Sequence, residues 1–68
     1  MELKFLKQFE EKSVRIILKN GFRYSGITFE INENGYLQFK DRNGEVIYLE
    51  PNAIDMISVM KDGGKNEN

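Results

Sequence analysis

Val14-Arg15-Ile16-Ile17-Leu18-Lys19-Asn20-Gly21-Phe22-Arg23-Tyr24-Ser25-Gly26-Ile27-Thr28-Phe29-Glu30-Ile31 is the stretch that decides the fold. Val14, Ile16 and Leu18 recur at every second position, the period of a strand with one apolar face. Asn20-Gly21 then supplies the positive φ that a tight hairpin needs. In the returning strand Phe22 and Tyr24 are even-numbered, whereas Ile27, Phe29 and Ile31 are odd. The apolar phase slips by one residue at Ser25-Gly26. A slip at a glycine inside a strand predicts a bulge or sharp bend, and long strands bent in this way close small barrels.

The pattern continues toward the C-terminus. A second Asn-Gly pair, Asn34-Gly35, precedes Tyr36, Leu37 and Phe39. A third, Asn43-Gly44, precedes Val46-Ile47-Tyr48-Leu49. Asn-Gly turns between apolar runs predict a β-meander. Pro51-Asn52-Ala53 makes a corner, because proline cannot donate to a central ladder. Ile54, Met56, Ile57, Val59 and Met60 form the last predicted strand, and residues 62–68 read as a disordered tail. The last two predicted strands are apolar on both faces, which calls for a cover; a neighbouring subunit is the simplest one. Toward the N-terminus, Leu3, Leu6 and Phe9 follow helical spacing, with Phe5 beside them, and predict a short helix over residues 2–12. Such a helix is stable only when docked. The expected organisation is one domain over residues 1–61, with the helix followed by a barrel over residues 13–60.

Composition narrows the function. A chain of 68 residues has a small core, and folds of this size usually gain stability from disulfides, a metal or partner subunits. Cysteine and histidine are both absent, so disulfides, thiolate sites and the commonest general base are excluded. No serine stands beside a plausible base and no phosphate-cradling motif is present. An enzyme is not expected, nor is a cofactor. No apolar run reaches the ~20 residues of a membrane span. Met1-Glu2-Leu3-Lys4-Phe5 lacks the basic start and apolar stretch of a signal peptide, so a cytoplasmic location is expected. The net charge is −1. It divides into +3 over residues 1–23 and −4 over residues 24–68, which suits either one basic and one acidic face or scattered solvated charge.

The order of short helix, five strands, a bend in the second and a one-turn corner before the fifth resembles the Sm-like (LSm/Hfq-type) fold. The residues that carry the resemblance are Val14 to Gly21 followed, after Phe22-Arg23-Tyr24-Ser25, by Gly26. Ile31 and Asn32 match the apolar and small polar pair that follows, and Leu37 and Phe39 match the apolar pair of the third strand. Tyr48-Leu49-Glu50-Pro51-Asn52-Ala53-Ile54 looks like the Hfq version of the last turn, and Phe5-Leu6 looks like its helix. The resemblance spans the chain to about Val59. It implies a mainly β fold in which the helix precedes a five-stranded, strongly bent SH3-like barrel. It also implies a cyclic homo-oligomer, a hexamer or heptamer, whose ligand is single-stranded RNA. An Sm-fold or SH3-like ring that mediates protein–protein assembly without RNA is the alternative.

The resemblance carries a set of candidate RNA-binding residues. Phe22, Arg23 and Tyr24, with Asn20 in the turn before them, match the Hfq face opposite the helices, where adenines sit between subunits. Phe22 and Tyr24 could equally belong to the barrel core. Asn32, Asn34 and Asn52 could read uracil edges around a pore, but asparagine is also favoured in turns for its own backbone hydrogen bonds. Lys4, Lys7 and Lys12 read as solvated charge, and Tyr36 as a cross-strand packing residue in preference to a loop aromatic that stacks. Pro51-Asn52 and Asn34 stand where Hfq carries the Lys-His pair of the pore and a stacking aromatic, and the helix ends in Glu10-Glu11.

Overall fold

A computed structural model describes residues 1–61; the tail reading for residues 62–68 lies outside the described residues. The chain is mainly β. Helix α1 spans Leu3–Leu6 and runs into a 3-10 turn over Lys7–Phe9. Six strands follow: β1 (Val14–Leu18), β2 (Arg23–Ile27), β3 (Glu30–Ile31), β4 (Leu37–Lys40), β5 (Val46–Leu49) and β6 (Ile54–Val59). They form two antiparallel three-stranded sheets, ordered β2-β1-β6 and β3-β4-β5.

This corrects the expected five-stranded closed barrel. The long second strand divides, and its two parts join different sheets. Val14 pairs with Ile27 while Ile16 pairs with Tyr24, so β2 carries one extra residue there. Gly26 sits in that bulge at φ 68, a conformation open chiefly to glycine. Thr28-Phe29 then leaves the first ladder before Glu30 and Ile31 pair with Gln38 and Leu37 of β4. Among the described residues the ladder does not close, since β5 pairs with β4 alone and β6 with β1 alone.

The two sheets share one core. Val14, Ile16, Leu18, Ile27 and Ile54 come from the first sheet and Leu37 and Phe39 from the second. Phe29, buried at the crossing, and Leu6 from α1 complete it. Burial of such side chains stabilises the fold by about 1.5–3 kcal/mol each. The period-two face of β1 is buried as expected, with Arg15 exposed and Ile17 half-buried on the other side.

The helix is shorter than residues 2–12. It ends at Phe9, and Glu11 takes φ 68, the one positive value outside glycine among the described residues. The reason is a long-range hydrogen bond. The Ile31 backbone N–H donates to Glu10 Oε2 at 2.8 Å, so the chain must turn at residues 10–11 to bring that carboxylate to β3.

Each Asn-Gly pair sits in a three-residue hairpin loop of one design. The N–H of the residue before the loop donates to the carbonyl after it, and the glycine N–H donates back: Leu18 with Phe22, Asn32 with Tyr36, Asp41 with Glu45. Gly21, Gly35 and Gly44 all have positive φ. A type I turn closed by a left-handed residue has this form.

Candidate functional site

Phe22, Arg23 and Tyr24 leave the first hairpin in sequence but differ in environment. Phe22 is 55% exposed. Tyr24 is half-buried and packs edge-on against Phe39, with ring centroids 5.0 Å apart and planes at 73°. Phe22 in turn meets Tyr24 edge-on at 5.0 Å and 65°. The three rings form a row from the core to the surface. Tyr24 is the middle ring and is mainly packing, whereas Phe22 keeps open surface at the outer end. Edge-to-face geometry of this kind is the favourable one for aromatic pairs.

These residues line a cleft of about 290 Å³ with Ser25 and Ile27 on one wall and Asp41, Arg42 and Asn43 on the other. The second wall is the β4–β5 turn. Sequence reasoning missed it because an Asp-Arg-Asn-Gly turn reads as ordinary solvated charge. Its shape is fixed by Asp41, whose Oδ1 accepts the N–H groups of Asn43 and Glu45, each at 2.9 Å. The cleft is thus lined by an exposed aromatic residue and two arginines, against one carboxylate already engaged by backbone donors. Such a surface can stack a flat base and contact a phosphate.

The candidate asparagines lie elsewhere, and the side chains of Asn20 and Asn32 have turn work to do. Asn20 Oδ1 accepts the Phe22 N–H at 2.9 Å, which sets the chain direction into β2, and Asn20 does not line the cleft. Asn32 plays the part that Asp41 plays in the later turn: its Oδ1 accepts the N–H groups of Asn34 and Tyr36 at 2.9 and 3.1 Å. Asn32 and Asn34 line a broad, shallow depression with Glu33, Tyr36, Gln38 and Tyr48. Asn34 and Asn52 meet in a second depression beside Tyr36, whose charged side chains are Glu2 and Glu50. The Met1 nitrogen donates to the Pro51 carbonyl at 3.1 Å there. Neither depression carries a Lys or Arg side chain; the first holds Glu33 and the second Glu2 and Glu50 beside the Met1 ammonium, so carboxylates outnumber cations in both and their net field opposes a phosphate chain. Tyr36, read either as packing or as a loop aromatic, is 39% exposed and lines both depressions.

The last two strands each expose apolar side chains. Val46 and Tyr48 on β5, and Met56 and Val59 on β6, are each 46–58% exposed. Among the described residues these two strands are also ones whose outer edges lack a partner. The two-faced apolar pattern expected for the last two strands is therefore present as exposed side chains on open edges. No described helix is long and apolar enough to cross a membrane. No family model, curated protein or solved structure matches the chain.

Proposed function

We propose that the chain is a subunit of an Sm-like ring, with the two sheets as halves of a bent SH3-like barrel, and that it binds single-stranded RNA in the cytoplasm. The role is binding, without catalysis. The observation that carries this reading is the exposed Phe22 ring beside Arg23 in one cleft, at the surface end of an aromatic row anchored in the core. An unpaired base stacked on an aromatic side chain gains about 1–3 kcal/mol, and single-stranded segments are what sequence-tolerant stacking surfaces recognise. The face carrying Phe22, and not the acid-lined depressions near Asn34 and Asn52, is the RNA face in this reading. Purine-rich RNA is preferred because a large base covers more of the ring.

The ring half of the proposal rests on β5 and β6. Pairing β5 of one copy with β6 of the next would cover Val46, Tyr48, Met56 and Val59 and satisfy both open edges, and repetition about an axis closes a hexamer or heptamer. The same apolar edges, with the net charge of −1, favour the second reading: a ring that assembles with protein and binds no RNA.

Native mass, measured with and without RNase and with the absorbance ratio recorded, tests both halves. A stable monomer at micromolar concentration would remove the ring. Fluorescence titration with oligo(A) and oligo(U) tests the ligand. A ring that binds neither at low salt would leave the protein-assembly reading.

A further inference from the structure

The cleft has two walls, and only the wall bearing Phe22 and Arg23 enters the proposed RNA-binding role. The opposite wall is the β4–β5 turn, which presents Arg42 at its tip beside Asn43. We infer that Arg42 is a phosphate-contacting residue of this cleft, held in place by the Asp41-locked turn, and that it engages the backbone of the strand whose base lies on Phe22. This rests on the proposed RNA-binding role and assigns a second side of the same site.

The two walls divide the labour between base and backbone. A guanidinium is always charged and offers a planar fork of donors that matches a phosphate. Arg42 is exposed, so its head group is available to solvent and ligand. Long exposed side chains on mobile loops lose binding energy to ordering, but this loop is short and internally bonded. Asp41 receives two backbone N–H groups, and the Gly44 N–H closes the turn on the Asp41 carbonyl at 3.0 Å. The turn backbone that carries Arg42 is therefore fixed in the same cleft as Phe22.

Asp41 also has a cost for this role, because its charge lies in the same cleft. The structure supplies a substitute that keeps the turn. The equivalent position of the β3–β4 turn is Asn32, whose amide oxygen accepts the same pair of backbone donors. Asp41→Asn should preserve the lock and remove the carboxylate. In this view the carboxylate attenuates binding, and the variant binds RNA more tightly than the native chain.

Labelled oligo(A) and oligo(U) are titrated against wild-type protein and the variants Phe22→Ala, Arg42→Ala and Asp41→Asn, each over a range of salt, with far-UV circular dichroism to confirm folding. Arg42→Ala is expected to weaken binding several-fold at low salt, for oligo(A) and oligo(U) alike. Its salt slope should be shallower by about 0.7 for each phosphate that is no longer neutralised. Asp41→Asn should tighten binding by a few-fold with an unchanged melting profile. Phe22→Ala should weaken binding while leaving the salt slope in place. If Phe22→Ala weakens binding but Arg42→Ala and Asp41→Asn both match the wild type, the Arg42 assignment is overturned and the RNA-binding reading stands. If the wild type binds neither oligonucleotide, both fall together.

Discussion

Removing Tyr24 should damage the fold, whereas removing Phe22 should leave it nearly intact. Tyr24 is half-buried between two rings and touches Phe39 of the core edge-on. Tyr24→Ala deletes two aromatic pairs worth about 0.5–1.5 kcal/mol each, together with part of the ring's burial. The expected loss is about 2–3 kcal/mol, below the ~3–5 kcal/mol of a fully buried aromatic. Phe22→Ala deletes one pair at an exposed ring, about 0.5–1 kcal/mol. Total stability for a domain of this size is about 3–9 kcal/mol, so the first loss is a large share and the second is not. With a urea slope of about 1 kcal/mol per molar, Tyr24→Ala should lower the midpoint by about 2–3 M. Phe22→Ala should lower it by less than about 1 M on the same slope. Tyr24→Phe should change little because the hydroxyl makes no hydrogen bond among the described residues. The measurement is urea unfolding by circular dichroism at one fixed protein concentration, since assembly adds to apparent stability. Equal midpoints for Tyr24→Ala and Phe22→Ala would refute the core-to-surface ordering of the rings. The consequence for binding studies is that Phe22, and not Tyr24, is the position at which affinity can be changed with the fold held constant.

Leu6→Ala should cost about 2–5 kcal/mol, because Leu6 is fully buried on a one-turn helix that docks through it; Phe5→Ala, at a ring 46% exposed, should cost far less, and thermal melts of the pair decide. Gly26→Val should destabilise more than Gly44→Ala. An added Cβ meets nothing within 4 Å at either site, so the difference comes from forcing a β-branched residue into the left-handed region, where even an ordinary side chain costs about 1–2 kcal/mol. Matching denaturation curves would show that the bulge at Gly26 carries no special constraint. Met56→Glu, on the open β6 edge, should lower the native mass by gel filtration with light scattering, and an unchanged mass would place the subunit interface elsewhere.

Most of the strand pattern was legible because one face of β1 is buried, and burial with a period of two leaves a mark in the residues themselves. The bulge was legible for the same reason: the apolar phase slips where the extra residue sits. The division of the second strand was not, because Thr28 and Phe29 have good strand propensity and leave the ladder only when β3 finds β4. Nor was the early end of the helix, which depends on a carboxylate meeting an N–H 21 residues away. At the candidate site, the aromatic and arginine residues after the first turn were readable as a cluster. Which ring would be buried was decided by Phe39, a partner from another sheet. Arg42 carried no signal in the chain, since a charged turn tip looks the same whether it faces water or a cleft. Asn32 could be read as a turn residue or a base reader, and its two backbone bonds supply the turn role.

The bond from Ile31 N–H to Glu10 gives the N-terminal segment a guarding role. β3 is the end strand of its sheet, and a bare end strand invites another chain to add to it. The Glu10 carboxylate occupies a donor there, while Leu6 plugs the core alongside. The segment is nevertheless the thinnest part of the molecule: a single helical turn, a 3-10 turn and a non-glycine residue in the left-handed region. Local opening is easiest where little packing holds a segment, so this end should lift before either sheet melts. Lifting would bare a strand edge and an apolar socket in a molecule whose sheets are still formed. Mild heating or Glu10→Ala should therefore promote sheet-to-sheet growth into fibrils ahead of global unfolding, visible as thioflavin fluorescence rising while the circular dichroism still reports intact strands.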